Sequence, residues 1–159
     1  MIGLNAPELA GKGRPAEPFA EAARQRLRQL VAQSGGRVGL LPGRERQDRY
    51  GRVLAHVYGV TGINFEARLI AEGLAYRIAV LPNVALASCQ KAAENHARRA
   101  GLGLWRRSPV LKAQQIHRAG FALFEGRVSR VQRNRGGLWI TLQGPVSYTH
   151  LTLPTKRIV

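Results

Sequence analysis

Arginines are concentrated in one short polar segment, Gly43–Arg52, which reads "GRERQDRYGR". A guanidinium presents a fork of donors that can grip a phosphate, and it grips more strongly as negative charge builds up in a transition state. Such a grip is expected if Arg52 begins its strand with its side chain directed into a cleft. The competing interpretation is a solvated basic turn in which Asp48 neutralises Arg49 or Arg46, and composition alone favours that turn.

Glu8 is the second candidate for chemistry, within the segment "GLNAPEL" at residues 3–9. A carboxylate that follows a rigid proline at the end of a strand can accept a proton from water, although "NAPE" by itself is a common turn sequence. The histidines His56, His96 and His117 show no metal-ligand spacing. We therefore assign them no catalytic role.

The elements that must position these residues follow from the hydrophobic pattern. A helix is predicted from Pro18 to a stop at Gly35-Gly36. Its apolar face comprises Phe19, Ala22, Ala23, Leu27, Leu30 and Val31. A short strand is predicted over 37–41, and the loop containing the arginines leads to a second strand, "RVLAHVYG", over 52–59.

The following segments predict two more helices and a hairpin. Asn64 caps a helix that runs through about Glu72 and is closed by Gly73. Next come a strand in "LAYRIAV", a turn at Pro82-Asn83 and a helix near 87–100, after which Trp105 serves as a packing anchor. Past Pro109, alternating residues on both sides of "NRGG" at 134–137 predict a β-hairpin, which either adds to the main body or opens a second small β domain.

The charge of the chain points to a polyanionic partner. Lys and Arg number 25 against 9 Asp and Glu in 159 residues, a formal net charge of +16. Such a field attracts nucleic acid and makes binding salt-dependent. A predominance of arginine over lysine favours bidentate phosphate contacts, but a GC-rich genome would give the same bias. Asp48 is the only aspartate, so a hard-cation site, which normally assembles several carboxylates, is short of ligands.

Several classes of protein are disfavoured by what the sequence lacks. The single cysteine, Cys89, forms no internal disulfide and is expected to pack inside a helix as a small hydrophobe. No apolar run approaches the ~20 residues of a membrane helix, and the amino terminus lacks the pattern of a signal peptide. The expectation is a soluble monomer without a membrane partner, of undetermined compartment.

Residues 146–159, "VSYTHLTLPTKRIV", differ in character from the rest. They contain three of the five threonines counted in the chain. The stretch resembles the translated adapter of a sequencing library. It is therefore interpreted as a non-native tail and left out of the fold prediction.

Taken together, the motifs resemble the staphylococcal-nuclease-like (thermonuclease) family. The resemblance runs through "IGLNAPEL", "RQDRYGRVLAHVYG", "INFEARLIAEGLAYRI", "PN" and "AAENHARRAGLGLW", and it covers roughly residues 1–107. It implies an α+β fold, a five-stranded OB-fold β-barrel with three helices, in a domain over 1–107. Residues 108–145 would form a linker and the hairpin. The family hydrolyses phosphodiester bonds of DNA and RNA with one calcium ion.

The resemblance also implies roles for individual residues. Glu8 corresponds to the family's proposed general base, and Arg52 to one of two arginines that bind the phosphate. Positions beside the nucleotide are matched by Asp48, Arg49, Tyr50 and Tyr76. Asn5 and Ala6 match calcium ligands, Asn5 in place of an aspartate and Ala6 through its carbonyl. Calcium affinity follows ligand charge, so the amide of Asn5 predicts a weaker metal site.

The family has further strands, another aspartate ligand and the second arginine upstream of the segment that matches Met1. On the resemblance, the chain is expected to be an amino-terminally truncated nuclease with negligible activity. The family is often exported, and the compartment of the parent is left open. The alternative is a non-catalytic nucleic-acid-binding OB-fold module, favoured by Asn5 and the scarcity of carboxylates. A structural basic protein of ribosomal type accounts for the charge but not for Glu8 together with "DRYGR".

Overall fold

The computed structural model describes residues 1–11, 13–112, 115, 121–134 and 137–143. They form an α+β structure with two compact units, Met1–Ser108 and Pro109–Val159. The predicted tail at 146–159, the centre of the hairpin turn and His117 lie outside the described residues. No helix among the described residues combines the length and apolar character needed to span a membrane.

The described residues of the first unit form three α-helices, four strands and a 3-10 helix. The helices are α1 (Ala20–Gln33), α2 (Phe65–Ala71) and α3 (Ala87–Arg99), and the 3-10 helix is Gly103–Arg106. The strands are β1 (Leu4–Asn5), β2 (Val38–Gln47), β3 (Val53–Gly59) and β4 (Tyr76–Arg77). β1 pairs with β4 and β2 with β3, both antiparallel. The described strands form no closed barrel, so the five-stranded OB barrel remains a prediction.

Helix α2 forms as its sequence predicts. The side chain of Asn64 accepts a hydrogen bond from the backbone N of Ala67 at 2.8 Å, which satisfies one of the free donors at the helix start. Phe65, Leu69 and Ile70 are buried at 3% exposure or less. They form the core together with Leu30 of α1 and Ala75. The core therefore joins α1, α2 and the segment that leads into β4.

Helix α1 begins later than predicted. Phe19 has φ 68°, the left-handed conformation, so Pro18 lies outside the helix and Ala20 begins it. Within the helix, Ala20 and Ala23 are buried, whereas Ala22 is exposed. The prediction for Ala22 was wrong because Ala22 lies about 100° around the helix from Ala23, at the edge of the apolar stripe.

Other local predictions were also wrong. Cys89 lies on α3 as expected but is exposed rather than packed. The strand predicted over "LAYRIAV" is limited to Tyr76–Arg77. The strand predicted over 37–41 corresponds to β2, which extends through Gln47. Much of the predicted arginine-containing loop therefore belongs to β2.

In the second unit, the described residues form two strand pairs. β5 (Val110–Lys112) pairs in parallel with β6 (Leu123–Glu125), and β7 (Val128–Asn134) pairs antiparallel with β8 (Gly137–Leu142). The predicted hairpin is confirmed by the pairing of Asn134 with Gly137. The β5–β6 pair was not predicted, because parallel pairing leaves no signature in a short turn.

Candidate phosphate-binding site

The turn between β2 and β3 is organised by Asp48. Its Oδ1 accepts hydrogen bonds from the backbone N of Tyr50 at 2.8 Å and of Arg52 at 3.0 Å, and its Oδ2 accepts one from Arg52 Nε at 2.5 Å. Desolvation acts to raise the pKa of Asp48, but these hydrogen bonds outweigh it and lower the pKa below its usual range. The carboxylate is therefore charged at neutral pH and fixes the turn.

Three exposed side chains cluster on this turn. The guanidinium carbons of Arg49 and Arg52 lie 4.7 Å and 5.3 Å from the centre of the Tyr50 ring. Arg49 Nη2 donates to the Tyr50 hydroxyl at 2.6 Å. The Arg52 side chain is 74% exposed. Cation–π contacts hold both guanidinium groups beside the ring while leaving them accessible to a ligand.

The structure has features of both interpretations of this segment, the phosphate-binding Arg52 and the solvated basic turn. Asp48 does neutralise an arginine, but the partner is Arg52 rather than Arg49 or Arg46. Arg52 stands on an exposed turn and not in a cleft. Its Nη1 and Nη2 have no hydrogen-bond partner among the described residues, so the outer end of the fork is available to an anion.

The segment that precedes this turn is held by hydrogen bonds with Asn83, which we call the Asn83 tether. Pro42 pairs with Ala55 and Gln47 pairs with Val53, so the residues at 43–46 bulge from β2. Asn83, after the predicted turn at Pro82, closes two hydrogen bonds on this bulge: Glu45 N donates to Oδ1 at 3.0 Å, and Nδ2 donates to Glu45 O at 2.9 Å. The bulge is thereby fixed from outside its own sheet.

We expect Asn83→Ala to loosen the bulge and to destabilise the first unit by about 1–2 kcal/mol, because two hydrogen bonds are lost at an exposed site. Hydrogen exchange at the Glu45 amide measures the change directly. Asn95→Ala, on the exposed side of α3, is the matched control and should leave that amide protected. Equal exchange in both variants would contradict the role of Asn83.

Glu8 makes no hydrogen bond or ion pair with Arg49 or Arg52. Its backbone is held by Glu17: Glu8 N donates to Glu17 Oε2 at 2.9 Å, and Glu17 N donates to Glu8 O at 2.9 Å. The Glu8 carboxylate is exposed and makes no hydrogen bond or ion pair with a described residue. Sequence reasoning missed Glu17, because a contact across nine residues has no spacing signal.

Asn5 and Tyr76 are opposite partners of the β1–β4 pair. The Tyr76 ring packs edge-on against Trp105 at 5.6 Å between centroids, which agrees with the predicted anchoring role of Trp105. Burial raises the pKa of Tyr76, and Glu17 and Glu94 raise it further. Tyr76 therefore packs within the fold as a neutral, half-buried phenol. Ala6 packs against the core.

The described residues contain no group of three or more His, Cys, Asp or Glu placed to hold a metal ion. Asn5 and Ala6 offer only uncharged oxygens, whereas calcium affinity depends on carboxylates. The donor set on these residues therefore does not fit a calcium site. A groove of about 440 Å³ beside the Asn83 tether contains neither Glu8 nor Arg52.

Comparison with known proteins gives the family of the chain. The family described as "Staphylococcal nuclease homologue" matches residues 1–107, and the chain belongs to this family. The predicted resemblance is thus confirmed.

Three relatives illustrate the range of similarity. The chain is 31% identical over 107 residues to a thermonuclease of Staphylococcus intermedius, covering 67% of this chain and 62% of that protein. It is 32% identical over 120 residues to a probable endonuclease, lcl3, of Aspergillus flavus, covering 67% and 42%. It is 33% identical over 105 residues to the SPbeta prophage-derived endonuclease YokF of Bacillus subtilis, covering 64% and 34%. The chain thus spans less than two thirds of each relative.

Proposed function

We propose that this chain binds the phosphodiester backbone of DNA or RNA as part of a thermonuclease-type hydrolase. The observation that carries the proposal is the Asp48 turn, which presents Arg49 and Arg52 around Tyr50 with the outer nitrogens of Arg52 accessible. Support comes from the net charge of +16 and from relatives named as nucleases and endonucleases. The OB barrel predicted for the family is part of the same proposal.

Within this proposal each residue has a distinct role. Arg52 binds the phosphate and stabilises charge that develops on it, and Arg49 and Tyr50 contact the neighbouring backbone. Asp48 is a positioning residue. Where the chemistry of the family takes place, Glu8 would accept a proton from the attacking water, for which its exposed carboxylate is suited. Tyr76 contributes an aromatic surface from β4.

Calcium is the cofactor that the family implies, but the donor set does not fit it. We propose that Asn5 and Ala6 leave calcium binding weak or lost in this chain, and we derive no catalytic step through the ion. The described residues then supply phosphate binding without the metal that the family's chemistry uses. We expect binding of nucleic acid with negligible hydrolysis.

The test uses the whole chain with labelled single-stranded DNA and RNA, in calcium and in EDTA. We expect salt-dependent binding, no calcium-dependent cleavage, and an affinity loss of about fivefold at 0.1 M salt for Arg52→Ala, as for one phosphate contact. Arg28→Ala removes the same charge from an exposed position on α1 and should cost less than about twofold.

Two results would overturn parts of the proposal. Absence of binding would exclude nucleic acid as the partner. Calcium-dependent degradation that Glu8→Ala and Arg52→Ala both abolish would show that the chain is an active hydrolase despite Asn5.

The alternative is a nucleic-acid-binding module of the same fold that does not catalyse hydrolysis. The specific observation in its favour is the amide at Asn5 together with the lack of a carboxylate cluster in the described residues. Asn5→Asp tests the alternative: a gain of calcium-dependent cleavage would exclude a module without catalysis.

A further inference from the structure

The β7–β8 hairpin lies outside the residues that the family matches. Residues 109–145 contain six basic residues and one acidic residue, Glu125. Glu125 is ion-paired with Lys112. The hairpin arginines Arg127, Arg130 and Arg133 are exposed, and none pairs with a carboxylate of the described residues. Their charge is therefore not neutralised within the described part of the chain.

A β-bulge decides which way these arginines point. Val128 pairs with Leu142, but Arg130 pairs with Thr141, so two steps on β7 correspond to one on β8. Directly opposite residues share a face of the sheet, and neighbours along a strand alternate between faces. Leu142 and Thr141 point to opposite faces, so Val128 and Arg130 do as well.

The bulge thereby brings two arginines to one face. Arg127, next to Val128, alternates with it and shares the face of Arg130; its carbonyl accepts a hydrogen bond from Gln143 N at 2.8 Å. In a regular strand these residues, three positions apart, would point to opposite sides. Arg133, which follows Gln132, lies on the other face.

The two faces differ in chemistry. The face that we call the arginine face carries Arg127, Arg130, Gln132, Trp139 and Thr141. On the opposite face, the described residues are Val128, Val131, Ile140 and Leu142, together with the cation of Arg133. Arg127 and Arg130 are exposed and Trp139 is half-buried. Cations on the same face as an aromatic ring are a combination with which proteins bind single-stranded nucleic acid, because phosphates meet the cations and bases stack on the ring.

We propose that the arginine face binds the backbone of single-stranded nucleic acid, as a second contact in addition to the Asp48 turn. The choice of nucleic acid rests on the proposed function, whereas the surface lies outside the residues that carry that function. The unneutralised positive charge complements a phosphate chain and repels a second copy of the same face.

The experiment measures affinity of the whole chain for a fluorescein-labelled single-stranded oligonucleotide in EDTA, over a range of salt concentrations. Each phosphate contact on single strands adds about 0.7 to the salt slope and about fivefold to the affinity at 0.1 M salt. Arg127→Ala/Arg130→Ala should therefore lose about 25-fold in affinity and about 1.4 in slope.

Arg133→Ala is the control because it removes the same charge from the same strand on the other face. It should cost less than about twofold, against about fivefold for Arg130→Ala. Hydrogen exchange of the β7 and β8 amides checks that each variant keeps the hairpin, and Arg130→Glu against Arg133→Glu repeats the comparison by charge reversal.

Equal losses in the variants of the two faces, or no loss in either, would overturn the assignment of this face. So would a loss seen only with phosphatidylserine vesicles, which would identify a membrane as the partner. Arg52→Ala measured in parallel separates the two proposals: unchanged affinity there, with loss in the hairpin variant, contradicts the proposed function and leaves the hairpin surface standing.

Discussion

Gly73→Ala is expected to destabilise the first unit by about 2–5 kcal/mol, from a left-handed backbone and an overpacked contact. Gly73 has φ 71°, and a Cβ there would lie 2.3 Å from the backbone O of Leu102. The backbone cannot retreat easily, because Leu104 N donates to Gly73 O at 2.9 Å. The same contact places the 3-10 helix that carries Trp105, so the packing of Tyr76 should loosen as well.

Gly62→Ala is the matched control for this change. Gly62 has φ 78°, but a Cβ there meets nothing within 4 Å. It should therefore cost only the conformational penalty of about 1–2 kcal/mol. Urea unfolding of both variants isolates the steric part as their difference. Equal losses of unfolding free energy in the two variants would mean that the close approach of Gly73 to Leu102 does not contribute to the cost of the substitution.

Glu66→Ala is expected to destabilise the first unit by about 2–4 kcal/mol. Glu66 is fully buried, and its carboxylate accepts from Val57 N at 3.0 Å and from Asn64 Nδ2 at 2.7 Å. Removing it takes this acceptor from Val57 N, leaves Asn64 Nδ2 with only its 3.4 Å hydrogen bond to Val57 O, and empties a fully buried site. A donor that loses its partner away from water costs about 1–3 kcal/mol. Glu21→Ala, which removes a 62% exposed carboxylate from α1, should cost under about 1 kcal/mol in the same unfolding measurement.

A pH series distinguishes the charge of Glu66 from its packing. Burial raises the pKa of Glu66, with its hydrogen bonds opposing the shift. A raised folded-state pKa contributes stability that is present below the unfolded value, about 4.3, and is lost as pH rises through the folded value. The free energy of unfolding of the unsubstituted chain, relative to that of Glu66→Gln, should therefore fall as the pH rises from the unfolded-state pKa through the folded-state pKa of Glu66.

His56 does not reproduce this trend. Its Nδ1 lies 3.9 Å from Glu66 Oε1, and burial, with the amino terminus, lowers its pKa. Its contribution therefore rises with pH, opposite to that of Glu66. Both variants compared retain His56, so a pH-independent difference between them would contradict a raised Glu66 pKa.

Local chemistry made several parts of this structure predictable. Asn64 predicted the start of α2 because its capping hydrogen bond reaches only three residues along the chain. The "NRGG" turn predicted the hairpin for the same local reason. Glu66 was missed, although a carboxylate among Phe65, Leu69 and Ile70 on one buried face was a signal that could have found it.

The sequence by itself determined the family, the helices and the arginine-rich segment, since these depend on residue types and short spacings. Only the tertiary structure decided where the functional groups stand. Asn83 fixes the bulge at Glu45 from a distant turn, and Asp48 selects Arg52 from several nearby arginines. On the hairpin, a one-residue bulge turns Arg127 to the face of Arg130, because face depends on pairing register rather than on spacing along the chain.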